Sequence, residues 1–238
     1  MKTFYTLKSK SKSSIAHPFT LFQKLLTLLC AALLLFGFSA CNKKIDYLNY
    51  VSELRGNVFL AETDEFFLRV YAVDKETPYV TDGIPKERTM RTEIYLAAPS
   101  GDKTCNLTFS VDGKTYGGEM SYDNVRAEYY YSCTLDVTAL RELPCTIEYG
   151  EKTSTLNARS VLTEQTWTPQ AILSKLQTEE RDLFTSLTDK YGFAGEIYIR
   201  LIYEDSPYYY VGIIDRNGQV TAFLINAQTG KTLAKRQS

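Results

Sequence analysis

The chain is poor in the residues that most often do chemistry. Its 238 residues hold one histidine, His17, one tryptophan, Trp167, and five cysteines. No two cysteines are spaced as Cys-x-x-Cys, which excludes zinc knuckles and thioredoxin-type redox motifs. No glycine-rich loop leads into a helical pattern, so no phosphate cradle is expected. No acidic residue precedes Cys41, while Lys2, Lys8, Lys10, Lys12 and Lys24 do. The apolar run Leu25–Phe38 is 14 residues long, short of the roughly 20 needed to cross a bilayer core.

A basic start, a short apolar run and small residues ahead of a cut site describe an export signal, residues 1–40. The ending Phe38-Ser39-Ala40-Cys41 resembles the bacterial lipobox, with Phe38 in place of the usual Leu. The resemblance implies that Cys41 receives diacylglycerol and fatty acids such as palmitate and becomes the mature N-terminus. The expected location is therefore the extracytoplasmic face of a bacterial membrane, held there by lipid. Removal of residues 1–40 takes His17 with it and leaves no imidazole for Ser-His-Asp or Cys-His catalysis or for metal binding. It also leaves 28 acidic against 22 basic residues, since five of the 27 lie in the signal. A formal charge of −6 opposes a nucleic-acid partner, which needs a basic face to displace counterions from phosphates.

Residues 41–53 read as a tether. From Leu54 to Ser160 the apolar residues alternate. In "TCNLTFSV", Cys105, Leu107, Phe109 and Val111 share one face; in "EYYYSCTLDV", Tyr129, Tyr131, Cys133, Leu135 and Val137 do. A period of two marks half-buried strands. Turn signals at Asp82-Gly83, Ser100-Gly101, Asp112-Gly113 and Tyr149-Gly150 divide residues 54–160 into seven or eight of them. That pattern predicts an antiparallel immunoglobulin-like β-sandwich. Cys105, Cys133 and Cys145 are expected inside it, with at most one disulfide.

The period changes at Thr168-Pro169, a helix N-cap followed by a favourable first position. Ile172, Leu173, Leu176, Leu183, Phe184 and Leu187 then recur at helical spacing, with a break near Thr178-Glu179-Glu180. Strands "GEIYIRLIY", "YYYVGIID" and "QVTAFLIN" follow, with a short fourth in "KTLAK". Residues 166–238 are thus expected to form an α+β domain, a helix packed on a three- to four-stranded antiparallel sheet. Over residues 208–234 the sequence resembles a PepSY module, carried by Ile225, Asn226, Ala227, Thr229, Gly230 and Leu233, with Asn226 where that family has Asp. The resemblance implies a non-catalytic module that restrains or modulates peptidases in the envelope, and it brings no active-site residues.

Ser100-Gly101-Asp102-Lys103 matches the Ser-x-x-Lys string of acyl-transfer enzymes but lies between strands, where a turn is expected. Asp215-Arg216-Asn217-Gly218 lacks the further oxygen ligands of a calcium loop. No catalytic residue, cofactor or metal site is therefore expected. Seventeen of the 18 tyrosines follow Cys41, and tyrosine joins a large contact surface to a polar tip. Tyr130 and Tyr209, placed opposite the main apolar stripes, are the expected partner contacts. The expected partner is an envelope protein, such as a peptidase; the alternative is a glycan.

Overall fold

The computed structural model describes residues 45–238, which form one compact unit. Cys41 and the expected export signal lie outside the described residues. A 3-10 turn, Tyr47–Tyr50, is capped by Asp46, whose carboxylate accepts from Leu48 N at 3.1 Å. Nine strands follow: β1 (Val51–Glu62), β2 (Phe67–Glu76), β3 (Arg88–Ala97), β4 (Cys105–Val111), β5 (Lys114–Glu119), β6 (Ser121–Asp123), β7 (Glu128–Cys133), β8 (Glu142–Tyr149) and β9 (Lys152–Ser160). Helices α1 (Pro169–Glu179) and α2 (Arg181–Ser186) come next, then β10 (Thr188–Asp189) and β11 (Gly192–Phe193). The chain closes with β12 (Gly195–Tyr203), β13 (Pro207–Asp215), β14 (Val220–Asn226) and β15 (Thr232–Gln237).

The expected fold class is corrected here. The described residues do not divide into an immunoglobulin-like sandwich and a separate helix-on-sheet unit. Thirteen strands join one sheet that curls until it is nearly closed into a barrel. Its main path runs β15-β14-β13-β12-β1-β2-β3-β7-β6, and β9, β8, β4 and β5 branch from β1. The joint is β1 itself. Its first half pairs parallel with β12, Leu54 opposite Ile199 and Arg55 opposite Arg200. Further along, Phe59 and Leu60 pair antiparallel with Ser160 and Arg159 of β9. Between the two lies a bulge at Gly56, where the register with β2 shifts between Arg55 and Asn57. A bulge adds one residue and turns the following side chains to the other face. Asn57 holds the bend: its amide donates to Thr138 O at 3.0 Å and its carbonyl accepts from Ser160 Oγ at 2.7 Å.

Two apolar clusters result, and β1 feeds both. Phe59 packs with Leu68, Val70, Ile94, Leu96, Leu107, Cys145 and Ile147. Val51 and Val58 pack with Ile172, Leu176, Phe184, Ile199, Val211 and Phe223. Each such side chain, once out of water, contributes about 1.5–3 kcal/mol. The helix start falls where expected: Thr168 Oγ1 accepts from Ala171 N at 3.2 Å, and Pro169 opens the first turn. Ile172, Leu173 and Leu176 face inward, and the break falls at Glu180.

All three described cysteines are free thiols. Cys105 and Cys145 are fully buried in the first cluster, and burial alone pushes their thiols up to about 11 and about 12. Cys133 is half-buried, and burial raises it too. Because the thiolate is the reactive form, native protein at pH 8 should leave Cys105 and Cys145 unlabelled by Ellman's reagent while Cys133 reacts slowly. Rapid labelling of Cys145 would show that β8 is placed one residue out of register.

Candidate functional site

The face of β12, β1, β2, β3 and β7 turned away from the first cluster is polar and aromatic. Alternation brings Glu53 and Arg55 from β1, Arg69, Tyr71 and Lys75 from β2, and Glu93 and Tyr95 from β3 to one hollow of about 660 Å³. Arg200 of β12, Glu128 of β7, Tyr79 and Arg126 complete its lining. A second hollow of about 490 Å³ shares Arg55, Arg69 and Tyr71 with it and reaches Glu62, Ile202 and Glu204. A third of about 300 Å³ shares Tyr95 and Arg126 and reaches Tyr122, Asp123 and Tyr130. The shared residues make the three one trough that crosses β12, β1, β2, β3, β7 and β6.

Ion pairs order the middle of this trough. Arg69 holds Glu128 with both carboxylate oxygens, the longer bond being 2.6 Å. Lys75 holds Glu93 at 2.5 Å, and Arg200 holds Glu53 through Nε at 2.8 Å and Nη2 at 2.5 Å. Guanidinium groups also cover tyrosine rings: Arg55 over Tyr71 at 4.1 Å, Arg200 over Tyr198 at 4.5 Å and Arg126 over Tyr95 at 5.4 Å. Such contacts contribute about 0.5–2 kcal/mol and fix the long side chains in place. Burial, reinforced by the charge of Glu93, pushes the Tyr95 phenol up to about 12. Burial also raises Tyr79, although Arg200 opposes the shift. Both stay neutral at physiological pH, and the Tyr79 hydroxyl is itself buried. The surface offers hydrogen-bond donors, acceptors and charges of both signs, a set suited to recognition.

A strap closes one side. The loop between β2 and β3, residues 77–87, carries Tyr79 and is fastened at two buried carboxylates. Gly83 N donates to Glu196 Oε2 at 2.9 Å, Ser52 Oγ donates to Glu196 Oε1, and Lys86 N donates to Glu76 Oε1. Gly83 has φ +76° and sits so close to β13 that a Cβ would come within 2.6 Å of Asp215 O; no other residue suits the position. Desolvation raises the carboxyl of Glu196, with Ser52 and Gly83 opposing the shift and Glu76 and Asp82 adding to it. The folded state therefore holds the Glu196 proton more tightly than the unfolded chain does. Stability from this group is full below its ordinary value of 4.5 and falls as pH rises through the folded one. Asp82, Asp102 and Asp215 are shifted the other way, by hydrogen bonds to Lys86, Ser100 and Gln219 first of all, so they act below the ordinary Asp value. The melting temperature of wild type relative to Glu196→Gln should thus fall as pH rises above about 4.5. A difference that does not change with pH would mean that Glu196 titrates as it does in the unfolded chain.

The two expected contact tyrosines separate. Tyr130 is half-buried, lines the third hollow and packs against Tyr95, with ring centroids 5.0 Å apart. Tyr209 is corrected: it is 1% exposed in the second cluster and its hydroxyl donates to Trp167 O at 2.9 Å. The physical reason is that "YYYVGII" is apolar on both faces, so alternation has no phase. The opposite face is covered as well, because the Tyr198 ring lies across Gly212 and packs on Tyr210.

Ser100 and Lys103 lie in the turn before β4; the serine hydroxyl bonds Asp102 and the Tyr149 hydroxyl, and the lysine ammonium sits 4.9 Å over the Tyr149 ring. Asp215 Oδ1 accepts from Asn217 N at 2.8 Å and Gln219 N at 2.9 Å, an ordinary turn. Among the described residues no cluster of His, Cys, Asp or Glu has metal-binding geometry, and no helix is long and apolar enough to cross a membrane. In the stretch resembling PepSY, Asn226 Oδ1 accepts from Gln228 N and Thr229 N at 3.0 and 2.9 Å, and Gly230 turns at φ +68° beneath the Trp167 ring. Those residues close a turn.

The trough residues Arg55, Arg69, Tyr71, Tyr95, Arg126 and Arg200 were not singled out by the sequence. One signal was present: Glu53-x-Arg55, Arg69-x-Tyr71 and Tyr198-x-Arg200 put large charged and aromatic groups where "TCNLTFS" has Thr, Asn and Ser. Comparison with protein-family models, curated proteins and solved structures finds no match.

Proposed function

We propose that this chain is a lipid-anchored, extracytoplasmic bacterial protein that works without catalysis, by holding an extended segment of another envelope protein in the trough. The observation that carries the reading is the continuity of three hollows across six strands. Five strand spacings of about 4.8 Å make a path of about 24 Å, enough for about seven extended residues. A compact metabolite needs one hollow, not three.

A polypeptide suits the lining better than a glycan does. Sugar rings bind on open aromatic faces, whereas Tyr71, Tyr95 and Tyr198 each carry a guanidinium over the ring. Carboxylates beside arginines match the mixed charges and amide groups of a peptide. The partner suggested by the PepSY-like C-terminal stretch is a peptidase. Attachment comes from acyl chains on Cys41, about 0.8 kcal/mol for each buried methylene.

Two measurements test the two halves of the proposal. Photo-crosslinking amino acids at Tyr71 and Tyr130 should join the protein to its partner in intact cells, while the same group at exposed Leu233 should not. Equal crosslinking at Leu233 would sink the trough as the binding face. Cys41→Ser should move the protein out of the membrane fraction or leave the precursor uncut; a mature wild-type protein with an unmodified Cys41 would end the lipoprotein reading.

A further inference from the structure

We infer that the centre of the trough is an anion subsite, built on Arg55, that takes a carboxylate side chain of the bound polypeptide. The inference rests on the trough being a polypeptide groove and adds which residue that polypeptide must carry at its middle.

The argument starts from a count of partners. The central hollow has five cations, Arg55, Arg69, Lys75, Arg126 and Arg200, and three carboxylates, Glu53, Glu93 and Glu128. The carboxylates are taken by Arg200, Lys75 and Arg69 in turn. Arg126 lies 3.7 Å from Asp123 and is 59% exposed, so water serves its donors. Arg55 remains. Its nearest carboxylate oxygen is on Glu53 at 3.9 Å, beyond hydrogen-bond distance and on a group already engaged by Arg200. Among the described residues its Nε, like that of Arg69, is buried without a partner, but Arg69 has Glu128 on its other donors and Arg55, only 18% exposed, has no such bond. A guanidinium so enclosed loses much of its hydration, and leaving its donors unmade is costly.

Position adds to the case. The Arg55 guanidinium sits over the Tyr71 ring, 4.1 Å from its centroid, which holds it in place before any ligand arrives. It lines both the first and the second hollow, at the saddle that an extended ligand must cross. Beyond it the second hollow ends at Glu62 and Glu204, while Asp123 of the third is offset by Arg126. An acidic ligand residue is thus attracted beside Arg55 and repelled at the Glu62 and Glu204 end, which sets the register of the bound segment as well as its chemistry.

The test uses the detergent-extracted protein and arrays of capped heptapeptides with randomised flanks and Glu, Gln or Lys at the middle position. Peptides with central Glu should bind roughly ten- to a hundred-fold more tightly than those with Gln, and the margin should shrink as salt is raised. Arg55→Gln should erase the margin, and Arg55→Lys should restore part of it. Equal binding of the Glu and Gln sets, a margin indifferent to salt, or a margin that survives Arg55→Gln would overturn the anion subsite and leave the peptide trough standing. If Arg55→Gln does not fold, the salt series on wild type decides alone. Failure of every peptide set, or Arg55-dependent binding of polygalacturonate in their place, would overturn the polypeptide groove itself.

Discussion

Phe59→Ala should lower stability by about 3–5 kcal/mol and should do so for the whole of residues 45–238 together. Phe59 is completely buried, on a strand that supplies buried residues to both clusters. The measurement is made simple by composition, since Trp167 is the only tryptophan and its backbone is tied to the second cluster, its main-chain N–H donating to Ala227 O at 2.8 Å and its carbonyl accepting from the Tyr209 hydroxyl at 2.9 Å. In a urea titration, tryptophan fluorescence reports that cluster and circular dichroism reports the sheet as a whole. Both midpoints should shift to lower urea by the same amount. A fluorescence midpoint left where wild type has it would mean that residues 166–238 hold together independently of the cluster around Phe59.

Tyr209→Ala should be nearly as damaging, again about 3–5 kcal/mol, while Tyr208→Ala next to it should stay within about 1 kcal/mol. The contrast follows from register. Tyr209 lies among Val211, Ile213 and Phe223, and it supplies the donor for Trp167 O. Tyr208 faces the other way and is half-buried. Tyr209→Phe should fall between, about 1 kcal/mol, because it keeps the ring and loses one hydrogen bond. Equal losses for Tyr208→Ala and Tyr209→Ala would place β13 one residue out of step.

The sequence made some of this architecture readable, for reasons that differ by element. Residues 105–111 alternate cleanly because one face meets the first cluster and the other meets water, and the strand is found there. Thr168-Pro169 marks the helix start because capping is local chemistry. The parallel pairing of β1 with β12 leaves no such trace. Val51 and Ile197 stand far apart along the chain, and nothing local in either strand names the other. Residues after Trp167 therefore looked like a meander with its own helix, when their first long strand, β12, in fact extends the sheet begun by β1. The trough was hidden for a related reason. A lone Arg or Glu on the outer side of a strand reads as a solvated charge, and only the assembled sheet brings Arg55, Arg69, Arg126 and Arg200 to one hollow. Tyr130 lines the third hollow, whereas Tyr209, expected on the outer face, lies inside because β13 is apolar on both faces.

The parallel pairing also sets a timetable. Strand β1 comes first in the described chain, yet the first half of one edge, Val51–Arg55, stays uncovered until residues 195–203 arrive. Contacts between such distant segments raise the contact order and slow folding, because the long loop must close before the pairing repays it. A chain threaded through a membrane from its N-terminus would hold β1 outside, half-edged and rich in apolar groups, for most of its passage. Folding of this protein is therefore expected to finish only after the last strands emerge, and a partner that guards the β1 edge in that interval would raise the yield more than one that acts on the finished molecule.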